Sequence, residues 1–126
     1  MKRILIIDDD ERICDVVKRG LEGMSDFQVS VAYNGKDGIK SARRLKPDLI
    51  LLDIRMPEMN GMEVLKILKE GDDTMEIPIF MLSAVHEDSA KIKCNSEYAD
   101  IYIEKPIPLV FLKEKIEQVL KLRGKT

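Results

Sequence analysis

The chain has 126 residues, a length typical of one domain, and 44% of them are apolar, enough for a hydrophobic core. Its net charge of −2 and pI near 5.5 exclude the strongly basic surface of a nucleic-acid-binding protein. No apolar run approaches the roughly 20 residues that cross a bilayer, and the run after Met1-Lys2-Arg3 is too short for a secretory signal. We therefore expect a cytoplasmic protein in which Cys14 and Cys94 are reduced thiols.

Short apolar runs rich in branched side chains alternate with segments of helical periodicity. The runs are typical of strands buried on both faces of a parallel sheet, and they lie at 2–7, 27–32, 48–53, 79–82 and 101–103. Predicted helices group their apolar residues on one face: Ile13, Val16, Val17 and Leu21 in the first; Ile39, Ala42 and Leu45 in the second; Met62, Leu65 and Leu68 in the third; Leu112, Ile116, Val119 and Leu120 in the last. A weaker fourth helix is predicted from Asp88 to about Cys94.

This order, strand then helix repeated five times, predicts an α/β fold with a parallel sheet and right-handed crossovers. We expect a (βα)5 flavodoxin-like, doubly wound parallel sheet with strand order 2-1-3-4-5. In that order the direction of winding switches between strands 1 and 3. We expect residues 1–126 to form a single domain.

Polar side chains follow four of the five predicted strands. Asp8 and Asp9 follow the first strand, Asp53 ends the third, Ser83 follows the fourth and Lys105 follows the fifth. Because the carboxyl ends of parallel strands meet at one edge of a sheet, these residues are expected to assemble into one site.

The residue types at this edge suit phosphoryl transfer. Clustered carboxylates repel one another, and Mg²⁺, which takes oxygen ligands, would offset that repulsion. Lys105 supplies a second positive charge, and Ser83 supplies a hydroxyl that can donate to a phosphoryl oxygen. Asp53 is a candidate nucleophile, since carboxylates form aspartyl-phosphates. Taken singly, each of these polar residues has a simpler explanation. The neighbouring acids Asp10 and Glu11, for example, are suited to cap the N-terminus of the helix that follows. The joint occurrence at four strand ends favours the functional interpretation.

With these residues the chain resembles, over essentially its whole length, the receiver domain of bacterial two-component response regulators. The Asp8-Asp9 pair is similar to the family's metal-binding acids, and Asp53, followed downstream by Gly61, to its phosphoacceptor. Ser83-Ala84 matches the family's Ser/Thr-Ala pair, and Lys105-Pro106 matches its Lys-Pro dipeptide. Tyr102 matches its aromatic switch position.

The resemblance implies a phosphorylation switch. A sensor histidine kinase, or a histidine phosphotransfer protein, would present a phosphohistidine that Asp53 attacks. Mg²⁺ would be held by Asp9, Asp53 and the backbone carbonyl of Arg55, with Asp8 acting on the metal through water. Ser83 and Tyr102 would then move inward together and reshape the face formed by the fourth helix, the fifth strand and the last helix. A downstream protein, an output domain or a second copy in a phosphorylation-dependent homodimer would read that face; no direct contact with nucleic acid or membrane is expected.

Several interpretations remain open at this point. The chain is expected to be a stand-alone receiver or the receiver part of a longer regulator with a DNA-binding or enzymatic output. A Mg²⁺-dependent aspartyl phosphatase is disfavoured because Arg55 stands where a second acid, two residues after Asp53, would be required. A pseudo-receiver scaffold that is never phosphorylated is disfavoured by the complete acidic set and by Lys105. The receiver is expected to catalyse only its own phosphorylation and dephosphorylation.

Some positions depart from the family pattern or are distinctive within it. Tyr98 precedes Ala99-Asp100 where the family usually has a small residue, so the face beside it is expected to be unusual. Val85 cannot hydrogen-bond an attacking water and Arg55 is suited to contact the phosphoryl group, which predicts a long-lived phosphoryl state. His86, the one histidine, is interpreted as a solvated loop residue.

Overall fold

A computed structural model of the protein describes residues 1–83 and 101–124. Within these ranges five strands alternate with four helices. In chain order the elements are β1 (Lys2–Ile7), α1 (Glu11–Met24), β2 (Phe27–Ala32), α2 (Gly35–Leu45), β3 (Leu49–Asp53), α3 (Gly61–Glu70), β4 (Ile79–Ser83), β5 (Ile101–Glu104) and α4 (Leu109–Leu122).

All five strands form one sheet in the order β2-β1-β3-β4-β5, and every neighbouring pair is parallel. The predicted flavodoxin-like fold is therefore confirmed. The register pairs Asp53 with Leu82 across β3 and β4, and Ser83 with Glu104 across β4 and β5. The winding switches between β1 and β3, so the residues that follow these two strands lie next to each other at the carboxyl edge.

The sheet is covered on both faces, which explains why its central strands are apolar throughout. Alternate residues of β1 point to opposite faces: Ile4 and Ile6 join a core with α1 and α4, whereas Leu5 and Ile7 join a core with α2 and α3. All residues of β3 and β4 are buried. The two layers of helices thus hold the sheet edge at which the polar residues gather.

Short polar side chains begin three of the helices. The Asp10 carboxylate accepts hydrogen bonds from the backbone N–H groups of Arg12 and Ile13, which confirms its predicted capping role. Asn34 caps α2 and Asn60 caps α3 in the same way. These caps fix where each helix starts relative to the strand before it.

The strand predictions differ from the structure only at their ends: β3 begins at Leu49, β4 extends to Ser83 and β5 extends to Glu104. The prediction that Val16 belongs to the buried face of α1 is wrong: its exposed fraction is 57%, and Cys14 is buried instead. The predicted helix at 88–94 and the predictions for Val85, His86, Cys94 and Tyr98 lie outside the described residues. Among the described residues, no helix is long and apolar enough to cross a membrane.

Candidate functional site

Three carboxylates converge at the carboxyl edge of the sheet. One oxygen from each of Asp8, Asp9 and Asp53 lies within 4.8 Å of the other two. Asp8 and Asp53 are buried, whereas Asp9 is exposed at the rim. The strands thus bring together the acids that the sequence predicted to meet.

Lys105 joins the two buried acids. Its Nζ lies 2.9 Å from Asp53 Oδ1 and 3.1 Å from Asp8 Oδ2. The lysine reaches this point because β5 ends beside β4, where the Lys105 backbone N–H donates to the Ser83 carbonyl at 2.8 Å. One ammonium group therefore serves two buried carboxylates.

This sharing leaves the site short of positive charge. Burial raises the pKa of Asp53 to about 6, although the hydrogen bond from Lys105 opposes the shift. Burial also raises the pKa of Asp8, against the hydrogen bond from the Asp10 N–H and the charge of Lys105. For Lys105, burial lowers the pKa, but the hydrogen bond and charge of Asp53 outweigh it and raise the pKa above its ordinary value. The site therefore favours a further cation.

The two buried acids differ in how fully they are hydrogen-bonded. Asp8 Oδ1 accepts from the Asp10 N–H at 3.0 Å and Oδ2 accepts from Lys105, so both of its oxygens are engaged. Asp53 uses Oδ1 for Lys105, and within the described part of the chain its Oδ2 has no hydrogen bond. Asp53 thus keeps one carboxylate oxygen available for a ligand or a new bond.

The backbone at Asp8 is held from two sides. Its N–H donates to the Ala32 carbonyl at 3.0 Å, and its carbonyl accepts the Cys14 thiol at 3.3 Å. Burial raises the pKa of Cys14 to about 12, with the charge of Asp8 adding to the shift, so the thiol remains a donor at neutral pH. The sequence predicts only that Cys14 is a reduced thiol, and nothing in its spacing indicates this contact.

Gly61 closes the loop that leaves Asp53. Its N–H donates to the Ile54 carbonyl at 2.7 Å, and a Cβ at this position would overlap the Asp53 carbonyl oxygen and lie 2.7 Å from Ile54 Cα. Only glycine allows α3 to begin this close to the end of β3. In the sequence Gly61 only marks the motif around Asp53, whereas in the structure it has this packing role.

The remaining predicted site residues lie around this cluster. Ser83 is buried at the end of β4, next along the strand to the residue that pairs with Asp53. Tyr102 is half-buried on β5 against the core formed with α2 and α3, and burial raises the pKa of its hydroxyl. Arg55 has an exposed side chain in the loop after β3. Ala84 lies outside the described residues.

The donor set fits a hard divalent cation. Mg²⁺ prefers carboxylate and carbonyl oxygens and commonly uses one or two carboxylates beside phosphate and water. Asp9 and Asp53 offer such oxygens, Asp8 lies behind them, and one lysine offsets only part of their charge. The acidic cluster is thus suited to hold a metal ion.

Comparison with known proteins gives this site its context. The family model of the response regulator receiver domain matches residues 4–117. The chain belongs to the response regulator receiver domain family. Its predicted identity as a receiver of two-component signalling is therefore confirmed.

Relatives of this receiver are regulators. It is 37% identical over 121 residues to the DNA-binding dual master transcriptional regulator RpaA of Synechocystis. The aligned region covers 96% of this chain and 50% of RpaA. It is also 37% identical over 123 residues to the phosphate regulon transcriptional regulatory protein PhoB of Pseudomonas aeruginosa, covering 98% of this chain and 53% of PhoB. The chain thus spans about half the length of the curated relatives it matches.

Solved structures agree with the fold. A CheY-like response regulator receiver domain protein from Methanospirillum hungatei superposes with a TM-score of 0.86 at 30% identity, covering 99% of this chain and 98% of that one. The similarity therefore extends over the whole receiver rather than over an isolated motif.

Proposed function

We propose that residues 1–126 form one receiver domain that accepts a phosphoryl group on Asp53 from the phosphohistidine of a sensor kinase or a histidine phosphotransfer protein. The observation that carries this proposal is the state of the Asp53 carboxylate: buried, held through Oδ1 by Lys105, and with Oδ2 left without a hydrogen bond among the described residues. A carboxylate in this state can attack, whereas Asp8 has both oxygens engaged.

In the transfer, Asp53 Oδ2 forms the new bond to phosphorus while the bond from phosphorus to the donor imidazole nitrogen breaks. The electron pair of that bond returns to the imidazole. Lys105 holds Asp53 in place and offsets charge as the phosphoryl group arrives, and the Ser83 hydroxyl donates to a phosphoryl oxygen. Phosphoryl transfer depends mainly on such positioning and charge neutralisation.

We propose that Asp9, Asp53 and the backbone carbonyl of Arg55 hold Mg²⁺, and that Asp8, whose two oxygens are already hydrogen-bonded, acts on the ion through water. When bound, the ion would neutralise charge on the phosphoryl oxygens. The convergence of three carboxylate oxygens supports this assignment. The receiver acts only on its own Asp53, both in gaining and in losing the phosphoryl group, and works in the cytoplasm.

An apolar groove beside the site suits the phosphodonor. It has a volume of about 560 Å³ and runs between α1 and the segment after β5, with Ile13, Val16, Pro106 and Ile107 among its lining residues. The exposed Val16 side chain belongs to this groove. Because Lys105 lines it too and contacts Asp53, a donor protein docked there would present its phosphohistidine close to the acceptor.

The phosphorylated receiver is proposed to signal through Ser83 and Tyr102, which would change the surface at β5 and α4. The curated relatives are about twice as long and are named as transcriptional regulators. This supports a receiver that controls a DNA-binding output in a longer protein. A stand-alone receiver that acts on a separate protein, or that forms a phosphorylation-dependent homodimer, is the second candidate.

Intact-mass spectrometry after incubation with acetyl phosphate tests the proposal. We expect wild-type protein to gain the mass of one phosphoryl group with Mg²⁺ and to gain none in EDTA. Asp53→Asn should gain none, and Asp26→Asn, which changes an exposed acid at the opposite edge, should behave as wild type. An adduct on folded Asp53→Asn protein would contradict the assignment.

A further inference from the structure

The charges of α2 are arranged differently from those of α1 and α4. Both of those helices place opposite charges one turn apart, at Asp15–Arg19 (2.9 Å), Lys18–Glu22 (3.1 Å) and Lys113–Glu117 (3.5 Å). In α2, Lys36, Lys40 and Arg44 follow one another at the same four-residue spacing. Like charges at this spacing repel, so this cationic ladder opposes the stability of its own helix.

Helix capping does not account for the ladder. A cation in the last turn of a helix complements the helix dipole, which explains Arg44, but Lys36 lies in the first turn, where the dipole disfavours it. The one acid of α2, Asp37, accepts a hydrogen bond from Asn34 Nδ2 at 2.9 Å instead of pairing with a lysine. All three ladder residues are exposed, and within the described ranges none forms an ion pair.

Part of the ladder lines a groove at the end of the edge strand β2. The groove has a volume of about 440 Å³, and its polar lining consists of Lys40, Arg44, Asp37, Ser41 and Tyr33. Tyr33 leaves 46% of its surface exposed. The groove therefore holds two cations that form no ion pair within the described ranges, and one acid, Asp37, that is already hydrogen-bonded by Asn34. With the Tyr33 ring beside them, the two cations would receive carboxylates next to an apolar side chain.

We propose that this cationic ladder and its groove are a docking surface for a short acidic segment of a partner protein. Cations four residues apart on a helix repeat about every 6 Å along its axis, and acids four residues apart on a partner helix repeat at the same distance. Each acid of such a segment would form an ion pair with one cation of the ladder, and an apolar residue beside the acids would cover Tyr33. Binding would also relieve the repulsion within α2.

Local charge favours a short acidic segment over a nucleic acid. The chain has a net charge of −2, and acids lie at both ends of α2: Asp37 in its first turn and Asp48 beyond its last. Beyond the helix end, Lys46 shares another groove with Asp73 and Glu76. A phosphate backbone, which carries a charge about every 1.7 Å in duplex DNA, would run onto these acids.

Titration of the ¹⁵N-labelled chain by NMR tests the proposal without any phosphodonor, so its outcome is independent of the chemistry at Asp53. The probe is a synthetic alanine-based helical peptide with three glutamates at four-residue intervals and one leucine beside them. An isomeric peptide with its glutamates spread around the helix is the control. We expect shifts confined to the amides of Tyr33, Lys36, Lys40, Ser41 and Arg44, and binding at least about threefold tighter for the laddered peptide.

A charge-reversal pair separates the ladder from general electrostatics. Lys40→Glu combined with Arg44→Glu should weaken binding of the laddered peptide by about tenfold. The matched control, Lys66→Glu combined with Lys121→Glu, changes the net charge by the same amount on α3 and α4 and should leave affinity within about twofold. Lys40→Glu places an acid one turn from Lys36, which offsets the new repulsion between positions 40 and 44, and circular dichroism checks that the double variant is folded.

Three results would overturn the proposal. One is equal binding of the two peptides, and another is equal loss of affinity in the two double variants. The third is tighter binding of a single-stranded oligothymidylate that has the same charge as the peptide, which would make the ladder a nucleic-acid site.

Discussion

The polar side chains at the two edges of the sheet differ in their hydrogen-bond and ion-pair partners. At the amino edge several side chains donate to backbone carbonyls: Arg3 Nη1 to Leu45 at 3.2 Å, Thr74 Oγ1 to Leu68 at 2.6 Å and Arg123 Nη1 to Glu76 at 2.7 Å. At the carboxyl edge, Asp8 and Asp53 share the single ammonium of Lys105. These amino-edge side chains find their partners within the fold, whereas at the carboxyl edge two buried acids depend on one lysine.

Replacing one cation at each edge should give the largest difference in stability between the two edges. We expect Lys105→Met to lower the free energy of unfolding by about 1–3 kcal/mol at pH 7, because both buried carboxylates lose their charged donor. Arg3→Met removes an exposed side chain and should cost less than about 0.5 kcal/mol. Urea denaturation with a chelator present measures both, and equal losses would mean that the carboxyl edge is not short of positive charge.

Removing an acid should stabilise the protein at the carboxyl edge but not at the amino edge. Burial raises the pKa of Asp53 to about 6 from an ordinary value of 3.8, so between these pH values the folded protein binds more protons than the unfolded protein. Stability is therefore lost as the pH rises through this window, and it stays low at pH 7. Asp53→Asn should raise the free energy of unfolding at pH 7 by up to about 3 kcal/mol, and this gain should shrink as the pH falls to 4.

Asp48→Asn is the matched change at the amino edge. Asp48 Oδ2 accepts the Arg3 backbone N–H at 2.8 Å, so its replacement should give no gain in stability at any pH. A gain in both variants would point to net charge rather than to the buried cluster. Measurements are made in EDTA over pH 4–7.

Mg²⁺ should stabilise the protein through the carboxyl edge alone. At a concentration ten times its dissociation constant, the ion should raise the free energy of unfolding by about 1.4 kcal/mol. Asp9→Asn should remove most of this gain, because it deletes one of three converging carboxylates, while Asp26→Asn should keep it. Thermal unfolding across a Mg²⁺ series gives the comparison, and an equal gain in both variants would refute the metal assignment.

A change at the amino edge should affect stability without affecting chemistry. Thr74 is buried, and its hydroxyl donates to the Leu68 carbonyl at the end of α3. Thr74→Val should lower the free energy of unfolding by about 1 kcal/mol. Its yield of phosphoryl adduct with acetyl phosphate, measured by intact mass, should equal that of wild type; a reduced yield would show that the two edges are coupled.

The fold was predictable because strand burial and helix periodicity both leave clear patterns. Residues of β3 and β4 are buried on both faces, so each run is apolar until it ends at the carboxyl edge, on Asp53 and Ser83. Parallel topology then places Asp8 beside Asp53 without further information. Val16 was misplaced because an exposed apolar residue that lines a groove has the same periodicity as a core residue.

The contacts within the site could not be predicted, because they depend on distances between elements that are far apart in the sequence. The sequence shows that Lys105 follows β5, but it does not show that one ammonium group contacts both Asp8 and Asp53. The thiol bond from Cys14 to the Asp8 carbonyl and the backbone contact of Gly61 depend on distances between elements. The groove beside Tyr33 likewise arises from the packing of α2 against β2.

If Asp53 alone receives the phosphoryl group, chemical trapping should locate that group at Asp53 and nowhere else. Borohydride reduces an acyl phosphate to an alcohol, so treatment of the acetyl-phosphate-loaded protein should convert the acceptor aspartate to homoserine. Peptide mass spectrometry should find homoserine at position 53 and aspartate at positions 8, 9 and 10. Homoserine at any other position, or a phosphoryl adduct with unmodified Asp53, would contradict the account.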